Sequence, residues 1–221
     1  MNALPAHSRI VFVGDSITAC GKSPELPGTL GAGYVGLFSD LARIRRPQTR
    51  YEIVNSGIDG NTIGHLLSRW ADDVLSHQPD IVVMLIGIND AVRLFENMSS
   101  YHLPPDKFRD TYRLLITETQ RLLPNARLLP AEPFYLTTRQ NPAGSYRNDL
   151  ADLVDQYAAA VRDVCEESGL QCCRTNSVFA RILIHSPIGF LSTDGIHLTR
   201  TGHLALAEAV YDSLFGHHAH V

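Results

Sequence analysis

The sequence predicts a doubly wound α/β domain, on three observations. Strand-like and helix-like apolar patterns alternate along the chain. Two of the strand-like segments are almost continuously apolar, which suits strands buried on both faces of a parallel sheet. Between the segments the apolar period changes to that of a helix with one buried face.

In order, the strands are RIVFVGDS from Arg9, YEIVNSG from Tyr51, DIVVMLIGIND from Asp80, ARLLPAEPFY from Ala126 and LQCCRTN from Leu170, so five are expected. Ile63, Leu66, Leu67, Trp70 and Val74 share one helical face, as do Phe108, Tyr112, Leu115, Ile116, Leu122 and Leu123. A third helix is expected from about Arg147 to Glu167, with Leu150, Leu153, Val154, Tyr157, Val161 and Val164 inward and Gly169 closing it. A last helix is expected over about Thr201 to Phe215, ahead of Gly216. Sheets of this kind bind ligands at the carboxyl ends of their strands.

The chain's 221 residues suffice for one well-buried domain and are few for two, since domains commonly run to about 100–200 residues; a single domain over 1–221 is expected. A hydrophobic fraction of 44%, a charged fraction of 19% and a net charge of −4 describe an ordinary globular chain, with no call for a nucleic-acid partner. The longest apolar run, Ile81 to Ile88, is far shorter than the roughly 18–20 residues that cross a bilayer, so no membrane partner is expected. The N-terminus lacks the basic leader and apolar stretch of a signal peptide, which makes the cytoplasm the expected location. Cys20, Cys165, Cys172 and Cys173 show no CxxC spacing and are expected as reduced, packing residues. His217, His218 and His220 read as a solvated terminus.

The strand ends carry the chemistry. The first closes on Gly14-Asp15-Ser16, the second on Asn55-Ser56-Gly57 and the third on Gly87-Ile88-Asn89-Asp90, and a parallel sheet brings all three to one rim. A fourth segment, Ser192 to His197, precedes the last helix. A serine hydroxyl needs a base to become a nucleophile, and histidine, with an ordinary pKa of about 6.5, suits the task, which makes Ser16 the nucleophile and His197 the base. Asp194, three residues before His197, can accept the other ring N–H and stabilise the imidazolium. For the oxyanion, a term worth roughly 3–4 kcal/mol per donor, the candidates are the backbone N–H groups of Ser16 and Gly57 and the side-chain amide of Asn89.

The order of these pieces resembles the GDSL, or SGNH, serine hydrolases. GDSITACG is similar to their first block, NSGIDGNT to the second, IGIND to the third and DGIHLTRTGH to the last. The resemblance spans nearly the whole chain and implies the same roles: Ser16 as nucleophile, Gly57 and Asn89 as oxyanion donors, His197 as base and Asp194 as its acid. It also implies a flavodoxin-like three-layer α/β/α sandwich, no cofactor, and a site shallower than that of lipases with a GxSxG elbow, a motif this chain lacks. GAGYV, RWADDV, INDAVRLF, PFY and DQY are similar to a narrower group, the small bacterial acetylxylan esterases and related carbohydrate deacetylases. Leu198 departs from the pattern, since many members carry proline after the histidine.

The expected reaction is hydrolysis of a short acyl ester, most naturally an acetyl group on a sugar, with lysophospholipids, thioesters and aryl esters as other family substrates and a homo-oligomer as a possible form. Two other classes stay open. A metal-dependent phosphoesterase could draw on Asp15, Asn89, Asp90, Asp194, His197 and His203, and a non-catalytic module could bind an anion at the Gly14 turn. Further candidates at the substrate are Asp15, otherwise expected to brace its turn, and the aromatic residues Tyr34, Phe95, Tyr101, Phe134, Tyr135 and Phe190. Trp70, His65, His185 and His203 are expected to be structural.

Overall fold

Four parallel strands lie in the order β2-β1-β3-β4: β1 (His7–Gly14), β2 (Arg50–Gly57), β3 (Ile81–Leu85) and β4 (Arg127–Ala131). The computed structural model describes residues 7–23, 25, 28–98, 102–137 and 145–216. Tyr101 and the histidines at 217, 218 and 220 lie outside the described residues. β1 and β3 are buried almost throughout, as unbroken apolar runs between two helical layers should be.

The fifth expected strand is reduced to a single parallel bridge between Ala131 and Cys173, flanked by the bonds Cys173 N–H to Pro130 and Glu132 N–H to Cys173. The segment from Leu170 is cut short because helix α7 (Thr175–Leu183) starts two residues after the bridge. The architecture is otherwise the three-layer one expected.

The remaining helices are α1 (Ser16–Ala19), α2 (Tyr34–Arg45), α3 (Ile63–Asp73), α4 (Ile88–Phe95), α5 (Pro105–Leu122), α6 (Ser145–Glu167) and α8 (Arg200–Phe215). Pro105 opens α5 at a position where its missing N–H costs nothing. Gly169 and Gly216, at φ of +65° and +80°, follow α6 and α8 as the sequence suggests. On one side of the sheet Phe12 of β1 meets Tyr34 and Phe38 of α2, with ring centroids 5.7 and 5.0 Å away, and Phe38 reaches Tyr211 of α8. On the other, Trp70 of α3 donates to Thr119 of α5, and Phe108 of α5 packs edge-on against Tyr157 of α6. Trp70 is thus a core residue, as expected.

Leu67 and Leu122, read as inward, are nearly half exposed, because adjacent residues on a helix stand about 100° apart and Leu66 and Leu123 already occupy the buried face. Helices α2, α4 and α7 escape the periodicity reading. α2 holds Tyr34, Val35, Phe38 and Ala42 on one buried face, but the preceding GAGYV reads as a loop. No helix among the described residues is long and apolar enough to cross a membrane.

Sheet register delivers the site. Gly14 pairs with Gly57 on one side and with Leu85 on the other, so three strands end level and their loops leave from one edge. β1 lies between its sequence neighbour β2 and the later β3, which makes its end the switch point where open α/β sheets bind ligands.

Candidate active site

The first loop is built around Asp15. Its carboxylate is fully buried and accepts from the Ile17 N–H at 2.9 Å, capping α1, while the Asp15 carbonyl accepts from Ala19. This holds Ser16 at the first position of α1, with its hydroxyl half-buried at the rim and its N–H outside any helical bond. Burial pushes the Asp15 carboxyl up to about 7, against the bond from Ile17 and the charge of His197. Asp15 therefore braces the turn, and its expectation as a substrate contact is corrected: no part of it reaches solvent.

The Asp194–His197 turn folds through its own carboxylate. Asp194 Oδ1 accepts from the N–H groups of Ile196 and His197 at 2.8 and 2.7 Å, and Oδ2 meets His197 Nδ1 at 2.7 Å. Partial burial raises the Asp194 carboxyl, but these bonds outweigh it and hold the group below its ordinary value. With Nδ1 donating to Asp194, Nε2 is left as an acceptor, and it lies 3.3 Å from Ser16 Oγ. Ser16, His197 and Asp194, 181 positions apart at the extremes of one bond, are thus brought into a single chain of contacts.

Leu198, where proline was absent, does not loosen this turn. Residues 192 and 198 form an antiparallel bridge, Thr193 N–H donates to the His197 carbonyl, Thr199 N–H donates to Leu191, and Ser192 Oγ donates to His197. Tyr135 packs against Gly195 from below, and Leu136 N–H donates to the Gly195 carbonyl.

The second loop corrects one expected donor. The Gly57 N–H is already committed to Asn55 Oδ1 at 3.0 Å. Gly57 is glycine for a steric reason, since a Cβ there would stand 2.4 Å from the Ala19 nitrogen. Three residues on, Gly60 adopts φ of +71° and its N–H has no hydrogen-bond partner among the described residues. The signal was the second glycine of the same GIDG stretch. Asn89, on α4, is half-buried, and its side-chain amide donates one hydrogen to the Asn61 carbonyl at 3.0 Å, which leaves the other to point elsewhere. Asp90 is buried, accepts from Ile63 and Leu103, and is raised to about 7 by burial.

Ser16 and His197 share a cavity of about 630 Å³ whose other walls include Cys20, Lys22, Ile58, Asp59 and His203. Of the proposed aromatic contacts among the described residues, none lines it. Tyr34 is buried and bonds Thr18, and the Phe134 ring packs at a tilt against Phe179 in the core; neither α2 nor the core position of PFY is legible in the sequence. Phe95 packs against the core, Tyr135 supports Gly195, and Phe190 is substantially exposed. The polar wall of Lys22 and Asp59 was missed, although both adjoin motif residues.

His203 and His65 make structural contacts. His203 is buried, and its Nδ1 accepts from the Tyr34 N–H at 3.2 Å, capping α2; burial and then the charge of His197 hold it down to about 4. His65 closes a capping box with Thr62 at the start of α3. Among the described residues no three His, Cys, Asp or Glu side chains gather as a metal-holding group. All four cysteines are unpaired.

This geometry has relatives. The profile of the GDSL-like lipase/acylhydrolase family matches residues 12–205. An acetylxylan esterase of Geobacillus stearothermophilus is 34% identical over 207 residues, covering 91% of each chain. The crystal structure of an acetylxylan esterase from that organism superposes with a TM-score of 0.83 at 32% identity over 94% of each chain. An α/β hydrolase from the metagenome of Lake Arreo, Spain, superposes with a TM-score of 0.85 at 30% identity over 95% of each chain. With a serine, a histidine and an aspartate aligned at the switch point of a parallel sheet, the chain belongs to the GDSL-like lipase/acylhydrolase family and is a serine ester hydrolase.

Proposed function

We propose that the enzyme removes acetyl groups from O-acetylated carbohydrates such as acetylxylan fragments, through an acyl-serine intermediate on Ser16. The observation that carries the mechanism is the contact chain from Ser16 Oγ to His197 Nε2 and from His197 Nδ1 to Asp194. Ser16 Oγ attacks the ester carbonyl carbon while His197 Nε2 takes its proton, and the Asp194 carboxylate stabilises the imidazolium. The Ser16 N–H, the free hydrogen of the Asn89 amide and the Gly60 N–H hold the oxyanion. As the tetrahedral species collapses, the C–O bond to the sugar breaks and His197 returns the proton to the departing alcohol. A water, deprotonated by the same histidine, then attacks the acyl carbon and releases acetate and Ser16.

The acetylated-sugar reading is supported by the relatives named above and by the cavity itself, which is open at a rim where His197 is 57% exposed and carries Lys22 and Asp59 on its wall. Such a site suits a small acyl group on a polar alcohol better than a long apolar chain. A cytoplasmic setting accords with four unpaired cysteines. Replacing Ser16 with alanine is expected to abolish hydrolysis of an aryl acetate and of acetylated xylo-oligosaccharides while leaving the circular-dichroism melt unchanged. Substantial residual turnover would remove Ser16 from its role, and faster hydrolysis of long-chain lysophospholipid than of acetylated xylo-oligosaccharide would overturn the substrate class.

A further inference from the structure

Arg69 reaches far from the helix that carries it. Its side chain is only 14% exposed, and its guanidinium contacts four acceptors. One is the Asp73 carboxylate, one turn along α3. The other three belong to the loops at the strand ends: Nε donates to Asn61 Oδ1 at 2.8 Å, Nη1 to the Ser56 carbonyl at 2.8 Å and Nη2 to the Gly14 carbonyl at 3.0 Å. Gly14 ends the strand that delivers Ser16, and Ser56 and Asn61 bracket Gly57 and Gly60. The Gly14 carbonyl also accepts from the Ile58 N–H at 3.1 Å, so the two loops meet at this atom.

The contacts continue to the third loop. Asn61, whose side chain Arg69 fixes, offers its carbonyl to the Asn89 amide at 3.0 Å. A planar fork with rigidly spaced donors holds three acceptors in fixed relative positions, which an ammonium cannot do. Asp73 offsets the guanidinium charge, so what remains for Arg69 to contribute is geometry. A loop with glycine at two of four successive positions has little stiffness of its own.

We propose that Arg69 is a positioning residue that locks the first and second loops together and, through Asn61, sets the direction of the Asn89 amide toward the oxyanion. The inference rests on the serine-hydrolase reading of the site above. Misplacement of donors by about 1 Å costs roughly 10²-fold in rate, and because the donors engage the transition state more than the bound ester, the loss falls on kcat.

The test compares Arg69→Met, Arg69→Lys and Ser16→Ala with the parent enzyme on p-nitrophenyl acetate, below the melting temperature of each. Arg69→Met is expected to lose roughly 10²-fold in kcat with KM changed by no more than about threefold. Arg69→Lys, which keeps the charge and loses the fork, is expected to suffer most of the same loss. A folded Arg69→Met enzyme with parental kcat, or with its loss confined to KM, overturns the proposal, as does an Arg69→Lys enzyme with parental kcat. Should the methionine variant fail to fold, the lysine variant alone decides. If Ser16→Ala retains turnover, the site reading itself fails; if it is inactive while the Arg69 variants run at the parental rate, only the role of Arg69 fails.

Discussion

Asp15 adjoins Ser16 and Asp194 meets His197, and the surroundings of the two carboxyls drive them in opposite directions. Asp15, sealed beneath the first loop, is raised to about 7 by burial. Asp194, on a turn at the rim, is held below its ordinary value by three hydrogen bonds from within that turn, despite partial burial. One carboxyl shapes backbone, and the other meets the His197 ring. What separates them is the number of donors that the local fold supplies and the access of water, since both side chains have the same chemistry.

The comparison breaks most sharply at Asp194. Asp194→Asn keeps the shape of the turn but presents an amide to His197 Nδ1, and kcat is expected to fall by roughly 10²- to 10⁴-fold with little change in folding. A variant within a few-fold of the parent would show that His197 needs no anionic partner. Because the folded value of Asp194 is depressed, its contribution to stability is present above the ordinary carboxylate range and is lost as pH falls through the folded value.

Asp15 has the contrary sign. Its folded value lies above that of the unfolded chain, so between about pH 4 and pH 7 the native state holds a proton that the unfolded state has released, and stability falls as pH rises through that window. The full difference corresponds to about 4 kcal/mol. Asp15→Asn keeps an acceptor for the Ile17 N–H and cannot ionise. Urea unfolding at pH 4.5 and pH 8 is expected to show a smaller drop for the variant than for the parent, with Asp90 supplying what remains; an unchanged drop would mean that Asp15 is not the titrating group.

The smallest effect is expected at Leu198. The bridge between Ser192 and Leu198 is made by the flanking bonds Thr193 to His197 and Thr199 to Leu191, which do not use the Leu198 N–H. Leu198→Pro is therefore expected to change kcat by no more than about twofold. A large loss would show that the hydrogen bonds of the turn are not enough to place His197.

The contact chain of Ser16, His197 and Asp194 was legible because its parts are local signals in a fixed order: a strand end with Asp15 and Ser16, and an aspartate three residues before a histidine. The alternation of apolar runs and helical periods likewise determined the layers, since burial on both faces of a strand or one face of a helix is written in the pattern of residue types. Three outcomes needed the tertiary structure. Whether Gly57 or Gly60 offers a free N–H depends on where the Asn55 side chain turns, which two equivalent-looking glycines in one stretch do not reveal. Whether Tyr34 and Phe134 face solvent depends on what packs against them, and a flexible-looking GAG segment conceals a buried helix start. The bridging by Arg69 joins loops that are separated by more than forty positions and meet only because the register sets Gly14 beside Gly57. Composition and period determine which residues must be buried; only the closed sheet decides which of their polar neighbours find each other, because those contacts are made across strands rather than along them.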